Sequence, residues 1–300
     1  MATMLELVQQ AASEMGLATP SSVAGNTSSD VVQLQALLNA VGYELYRQHE
    51  WQALVGQNIF QVSVISITGD TTSGSSSLTN CSSIVGVDST YQVQGSGINQ
   101  ATYVTGSPSG TTITLSQPAT SSNVGQTYTL TKCKYAMPAD YDRQIDRTHW
   151  DKSKHWEMLG PESAQQWEWL ISGYIATGPR VRYRIFDSYF QIWPALGSQE
   201  VLGFEYLSKG WVRDATGAVK NSFTADTDTC IFPDRLMVLG LKKKYFEVKG
   251  FDASMYQRDY SKELGIAMSN DAGSATLSFA PRISTILIGW EQIPDSGYGS

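Results

Sequence analysis

An α+β fold is what this sequence predicts: a helical core with a small antiparallel sheet, an inserted all-β module and an extended C-terminal arm. Three observations carry that expectation. Helical periodicity occurs in the first fifty residues and again from about Asp234. Between those stretches, β-branched and aromatic runs alternate with turn residues. Composition then shifts sharply within residues 66–131, which hold 28 Ser or Thr and only two charges, Asp70 and Asp88.

The elements follow in order. Thr3-Met4-Leu5-Glu6 fits a capping box, and Leu5, Val8, Ala12 and Met15 recur on one helical face. Gly16 stops that helix and Pro20 marks the loop after it. Asp30 is placed to cap a second helix, in which Leu34, Leu37, Leu38, Val41 and Leu45 keep the helical period to about Trp51. A linker of about a dozen residues favours an antiparallel helical hairpin. A strand centred on Ile59-Phe60-Gln61-Val62 follows.

Within 66–131, short runs read as strands: Tyr91–Gln94, Thr102–Val104, Thr111–Leu115 and Thr127–Leu130. Gly95-Ser96-Gly97 and Ser109-Gly110 punctuate them as turns. The segment reads as a β-module inserted into a host made of 1–65 and 132–270; the other reading is a disordered Ser/Thr linker, which has no need of β-branched pairs. Pro161 and Glu162 open a helix holding Trp167, Trp169 and Leu170, closed by Gly173 and Gly178. Strands Val181–Phe186, Tyr189–Trp193 and Val201–Leu207 come next, the first two joined at Asp187-Ser188, and Gly210–Val219 is a loop. Two helices run from about Asp234 to Val248 and from Asp252 to about Ser269, divided by Gly250, the second carrying Met255, Tyr256, Tyr260 and Leu264. Residues 271–300 contain partial strand patterns broken by Pro281 and Pro294, as expected of an extended arm.

Charge and composition exclude several function classes. The formal net charge is −7, unsuited to tight nucleic-acid binding, which needs clustered cations to displace phosphate counterions. Charged residues are only 16%, while eight Trp and fifteen Tyr suit broad contact surfaces. Cys81, Cys133 and Cys230 are widely spaced and form no CxxC, so a thiolate zinc site is not expected. The odd count and the lack of a leader point to assembly in a reducing cytoplasm, where a Cys81–Cys133 disulfide is the minor alternative. No apolar run approaches the length of a membrane span, so a soluble, unprocessed chain without a membrane partner is expected.

Catalytic candidates are poor. His149 and His155 lie six apart, which is not a helical ligand spacing, and His49 is remote; stacking or solvent exposure is the simpler account. No GxSxG and no GxxxxGK[ST] occurs. Gly95-Ser96-Gly97 lacks a third glycine and a following helix. The closest carboxylate pairs are Asp140 with Asp142 and Asp226 with Asp228, and the latter pair reads as a loop favouring the dipole of the helix after Pro233. The chain is thus expected to have no catalytic residue, no cofactor and no metal. Lys242-Lys243-Lys244 is the one basic run: a solvated helix face, or else an inter-subunit or phosphate contact. In the arm, Ile283, Ile286, Leu287, Ile288 and Trp290 are an apolar liability in water, covered either by a tightly folded tail or by docking on a partner or neighbour.

Several segments together resemble the head-to-tail adaptors of tailed bacteriophages, of the tail tubular protein A type. The opening shows Leu5-Glu6-Leu7-Val8-Gln9, Gly16-Leu17, Ser21-Ser22-Val23 and then Glu50-Trp51. Tyr135-Ala136-Met137-Pro138-Ala139-Asp140-Tyr141-Asp142-Arg143 follows the first strand, with Trp150-Asp151 after it. Then come Phe204-Glu205-Tyr206, Trp211-Val212, Asp226-Thr227-Asp228 ahead of Pro233-Asp234, Gly240-Leu241-Lys242, and Tyr256-Gln257-Arg258-Asp259-Tyr260. The likeness covers about 1–63 and 132–270, and the order and spacing of the motifs carry it. Residues 66–131 look like a module that recurs in phage structural proteins and is lacking in the plainer adaptors.

The resemblance implies a virion protein of the head–tail junction, assembled in the bacterial host cytoplasm. It implies a homo-oligomeric ring, usually of twelve copies, between the portal protein and the tail nozzle protein. Double-stranded DNA would pass through the lumen without specific binding, and tail fibres are a candidate partner of 66–131. The alternative is a fibre-type or receptor-binding virion protein, suggested by the Ser/Thr-rich module; the flanking helices argue against it. An enzyme acting on glycans is the third reading and lacks an acid/base pair.

Overall fold

The computed structural model describes residues 1–172 and 180–271, which form a mixed α+β structure of five α-helices and several antiparallel sheets. Helix α1 (Met4–Glu14) starts as its sequence predicts: the Thr3 hydroxyl accepts from the Glu6 amide at 3.3 Å, and the Glu6 carboxylate accepts from the Thr3 amide at 2.8 Å. Its buried face is Met4, Leu7, Val8, Ala11 and Ala12, which leaves Leu5 and Met15 only half-buried. Helix α2 (Ser29–Gln48) begins two residues earlier than expected, with Ser28 at the cap and Asp30 inside the first turn. It ends before Trp51, whose indole donates to the Leu45 carbonyl at 2.7 Å; a single 3-10 turn (Gln52–Leu54) then leads into strand β1 (Val55–Gln61).

From β1 the chain passes directly into a five-stranded sheet with a core of its own. It is built from β2 (Val64–Thr71), β3 (Ser77–Thr79), β4 (Tyr91–Gln94), β5 (Ile113–Thr114) and β6 (Asn123–Lys132), in the order β4-β6-β2-β3-β5. Ile67, Leu78, Val93, Ile113, Tyr128 and Leu130 fill it. Its first and last strands pair, Val64 opposite Thr131, so the segment begins and ends at one place. Thr102–Val104 forms isolated bridges only, not the strand expected there.

Beyond β6 come β7 (Lys134–Ala136), β8 (Tyr141–Gln144), β9 (Trp150–Asp151) and β10 (Trp156–Glu157). Helix α3 (Ala164–Ile171) is capped by Ser163, so Pro161 and Glu162 precede it; the stop assigned to Gly173 and Gly178 lies outside the described residues. Strands β11 (Arg182–Phe186) and β12 (Tyr189–Trp193) turn at Asp187 and Ser188, both at positive φ (51° and 61°), and β7 joins them in a three-stranded sheet. Strand β13 (Val201–Ser208) pairs with β1 on one side and with β8 and β9 on the other. Tyr183, Phe190, Leu202 and Phe204 lie in the core these two sheets share.

The stretch read as a loop after Gly210 contains two short strands, β14 (Val212–Arg213) and β15 (Val219–Lys220), which form a sheet with β16 (Thr229–Cys230). Helices α4 (Asp234–Lys249) and α5 (Ser254–Asp271) then complete the helical part. Gly250 ends α4 in the left-handed region at φ 76°, and the Asp252 carboxylate accepts from the Ser254 amide at 2.9 Å. Helix α4 is the hub, packed against α1, α2 and α5, so the two opening helices meet around α4 more than each other. Gly240 on α4 permits its close approach to α2, and Gly42 on α2 makes room for Trp211. A Cβ on Gly42 would enter the buried Trp211 ring, and one on Gly240 would sit 2.5 Å from Val41.

Candidate functional site

The apolar docking residues expected in the arm, Ile283, Ile286, Leu287, Ile288 and Trp290, lie outside the described residues. The basic run lies on α4, and each ammonium group has a partner within the chain. Lys242 is buried, with Nζ 2.7 Å from Glu14 Oε2 and 4.9 Å from the centre of the Tyr256 ring. Lys243 stands 4.0 Å from Glu247 and lies over Tyr260. Lys244 pairs with Glu44 of α2. The run thus ties α4 to α1, α2 and α5. Lys242 and Gln10 hydrogen bonds to Glu14 hold that carboxyl below the usual range.

Asp226 and Asp228 do something other than favour the dipole of α4. The Asp226 carboxylate accepts from the Val23 amide (2.9 Å), the Ala24 amide (2.7 Å) and the Ser22 hydroxyl (2.7 Å), pinning the linker between α1 and α2. Asp228 is fully buried and accepts from the amides of Thr224 and Ala225 and from Lys220 Nζ. Burial pushes both carboxyls up, but these bonds outweigh it and hold them below the usual range. Their backbone carbonyls also serve α1: the Met4 amide donates to Asp228 at 2.8 Å and the Leu5 amide to Asp226 at 3.3 Å. Two free donors of the first turn of α1 are satisfied this way.

Asp140 accepts from the Tyr206 hydroxyl (2.9 Å) and the Ser208 hydroxyl (2.6 Å), whereas Asp142 is exposed; the two do not form an acid/base pair. Asp140 lines an open cleft of about 470 Å³ with Lys209, Lys220, Ser222 and Thr224. His149 is buried and stacked on Tyr183 at 4.2 Å, with Phe190 and Phe204 close by. Its Nδ1 is 3.1 Å from the Tyr183 hydroxyl. Burial lowers its pKa to about 4. His155 is exposed at a turn, and His49 Nε2 lies 3.1 Å from Asp271. All three cysteines are free and buried, and burial pushes the Cys133 and Cys230 thiols up to about 12.

No family model and no curated protein matches the chain. Among the described residues, no group of three or more His, Cys, Asp or Glu is placed to hold a metal ion. No described helix is long and apolar enough to cross a membrane.

The sequence reading missed one cluster. Asp151 and Glu200 are both buried and act on each other's proton affinity, while Asp151 Oδ2 and Glu200 Oε2 are each buried without a hydrogen-bond partner. Asp151 Oδ1 accepts from the amides of Ser153 and Lys154, and Glu200 Oε1 from Lys154 Nζ and the Ser198 hydroxyl. The only local signal is Asp151 immediately before a turn; Glu200 is 49 positions away and unmarked.

Proposed function

We propose that this chain is the ring subunit of a head-to-tail adaptor in a tailed bacteriophage, a structural virion protein without catalytic activity. In this reading, about twelve copies join the portal to the tail nozzle and form part of the DNA channel. The core domain is 1–65 with 132–270, the module 66–131 projects outward toward fibres or a neighbouring copy, and the arm 271–300 docks on the portal or an adjacent subunit.

The observation that carries the proposal is the layout of the chain. The segments bearing the adaptor-like motifs divide between two cores, with Tyr135, Phe204 and Tyr206 in the one shared by the two sheets around β13 and β12. Glu50-Trp51, Trp211-Val212, Pro233-Asp234 and Tyr260 all belong to or border the cluster packed around α4. The departure from the plainer adaptors is confined to a sheet whose ends meet at Val64 and Thr131. Charge is compatible: twelve copies at −7 carry roughly −84, which repels phosphates and favours passage over grip. Heterologous contacts close such a ring.

The test is electron microscopy of the purified chain with and without its cognate portal. A largely monomeric free chain and a twelve-fold ring on the portal are expected. Deleting 276–300 should leave the fold intact and abolish portal binding. A three-fold particle, or cleavage of cell-wall material abolished by one side-chain change, would overturn the proposal.

A further inference from the structure

We infer that β1 is a docking edge for the chain's own residues 283–290, which add to it as a further strand when the protein is free. Strand β1 has β13 on one side and no described strand on the other. At seven residues it is the longest strand at the edge of any described sheet; β11, the next at five, is already partly engaged by Leu159 and Glu162. None of its residues is fully buried, and Val55–Gln61 contains no charge and no proline. Those are the usual means by which a sheet edge is protected from pairing, and β1 has neither.

The occupant is named by where the described chain ends. Both carboxylate oxygens of Asp271 accept from the Gln52 amide, at 3.0 and 3.2 Å, and Oδ2 faces His49. Gln52 is three residues before β1, so the chain leaves α5 beside the start of that strand. Residues 272–282 then span at most about 36 Å. Strand β1 is about 23 Å long, so the run Ile283-Ser284-Thr285-Ile286-Leu287-Ile288-Gly289-Trp290 reaches either end of it. That run is uncharged, has an amide at every position, and is bracketed by Pro281 and Pro294. Its length matches β1. Strand addition would satisfy the edge through main-chain bonds and give the apolar side chains a surface to lie on. Attachment in the same chain sets an effective concentration on the order of millimolar, which favours this occupant over a second copy at micromolar protein.

This inference does not depend on the adaptor reading, and its test uses the free full-length chain alone. Hydrogen exchange is followed at residues 55–61 in the wild type and in the doubly substituted chain Ile286→Pro, Ile288→Pro, which removes two amides from the run. The amides of β1 that face away from β13 are expected to exchange about tenfold or more faster in the variant. Protection in α4 should be equal in the two proteins, and the wild-type protection should not change between about 1 and 100 µM protein. Equal exchange at 55–61 in both proteins would overturn the inference. So would protection that rises with protein concentration, which would assign the edge to a second copy.

Discussion

Asp151 and Glu200 are two buried carboxyls that perturb each other, each with one oxygen bonded to the surrounding loop and the other buried without a partner. Burial and the Glu200 contact raise the Asp151 pKa above its ordinary value. Burial pushes Glu200 the same way, but Lys154, Asp151 and Ser198 outweigh it and hold Glu200 below its ordinary value. The folded state therefore binds the Asp151 proton more tightly than the unfolded chain does. That stabilisation is complete below the ordinary carboxyl value of 3.8 and is lost as pH rises through the raised one. Asp151→Asn keeps a donor toward Glu200 and removes the second charge. It should stabilise the protein by about 1 kcal/mol at pH 7, read as a higher urea midpoint, with the gain shrinking as pH falls toward 4. A lower midpoint at pH 7 would exclude this account of the pair.

His149 titrates with the opposite sign. Its folded-state pKa is lowered to about 4 from 6.5 because burial disfavours the imidazolium. Its contribution is fully present above pH 6.5 and is lost as pH falls toward 4, by roughly 3 kcal/mol at most. His149→Phe should flatten the fall in melting temperature between pH 6.5 and 4. At neutral pH it should cost about 1 kcal/mol, through the unpartnered Tyr183 hydroxyl.

Two helix glycines should respond in opposite directions to alanine. Gly42→Ala drives a Cβ into the Trp211 ring, which is fully buried and closed in by Phe223 and Phe232. A loss of about 2–3 kcal/mol is expected by denaturant unfolding. Gly265 on α5 has open space where its Cβ would stand, so Gly265→Ala should gain about 0.5–1 kcal/mol.

The lysine run should behave as a graded set. Lys242→Ala removes a buried ammonium from Glu14 and from the Tyr256 ring and should lower stability by about 1–2 kcal/mol. Lys244→Ala, opposite the exposed carboxylate of Glu44, should cost under about 1 kcal/mol. Equal effects of the two changes would mean that Lys242 has no special tie to α1.

Replacing residues 66–131 by a short Gly-Ser linker should leave cooperative unfolding in the remainder, because Val64 and Thr131 are cross-strand partners. The melting temperature should still fall. Ala101 and Tyr103 of the module pack with Trp167, Leu170 and Trp193, and the Thr131 hydroxyl donates to the Leu196 carbonyl at 2.7 Å. Circular dichroism on heating checks this, and loss of all cooperativity would exclude an insertion.

Features that depend on near neighbours were legible in the amino-acid order. The Thr3–Glu6 box, the Asp187-Ser188 turn and the Gly250 stop each rest on contacts or dihedrals within a few residues. The α+β class was legible for the same reason, since the helical and strand periods are local. Tertiary structure alone decided the rest. Asp226 reads as a helix-dipole residue until it is seen bonded to Val23, 203 positions away, and Lys242 reads as solvated until Glu14 is placed beside it, 228 positions away. For His149 the amino-acid order leaves stacking and solvent exposure open, and the structure decides for stacking on Tyr183 and Phe204. A side chain's period tells which way it points within its own element. What it meets there depends on how distant elements close around one core, and that is where burial, pairing and proton affinity are set.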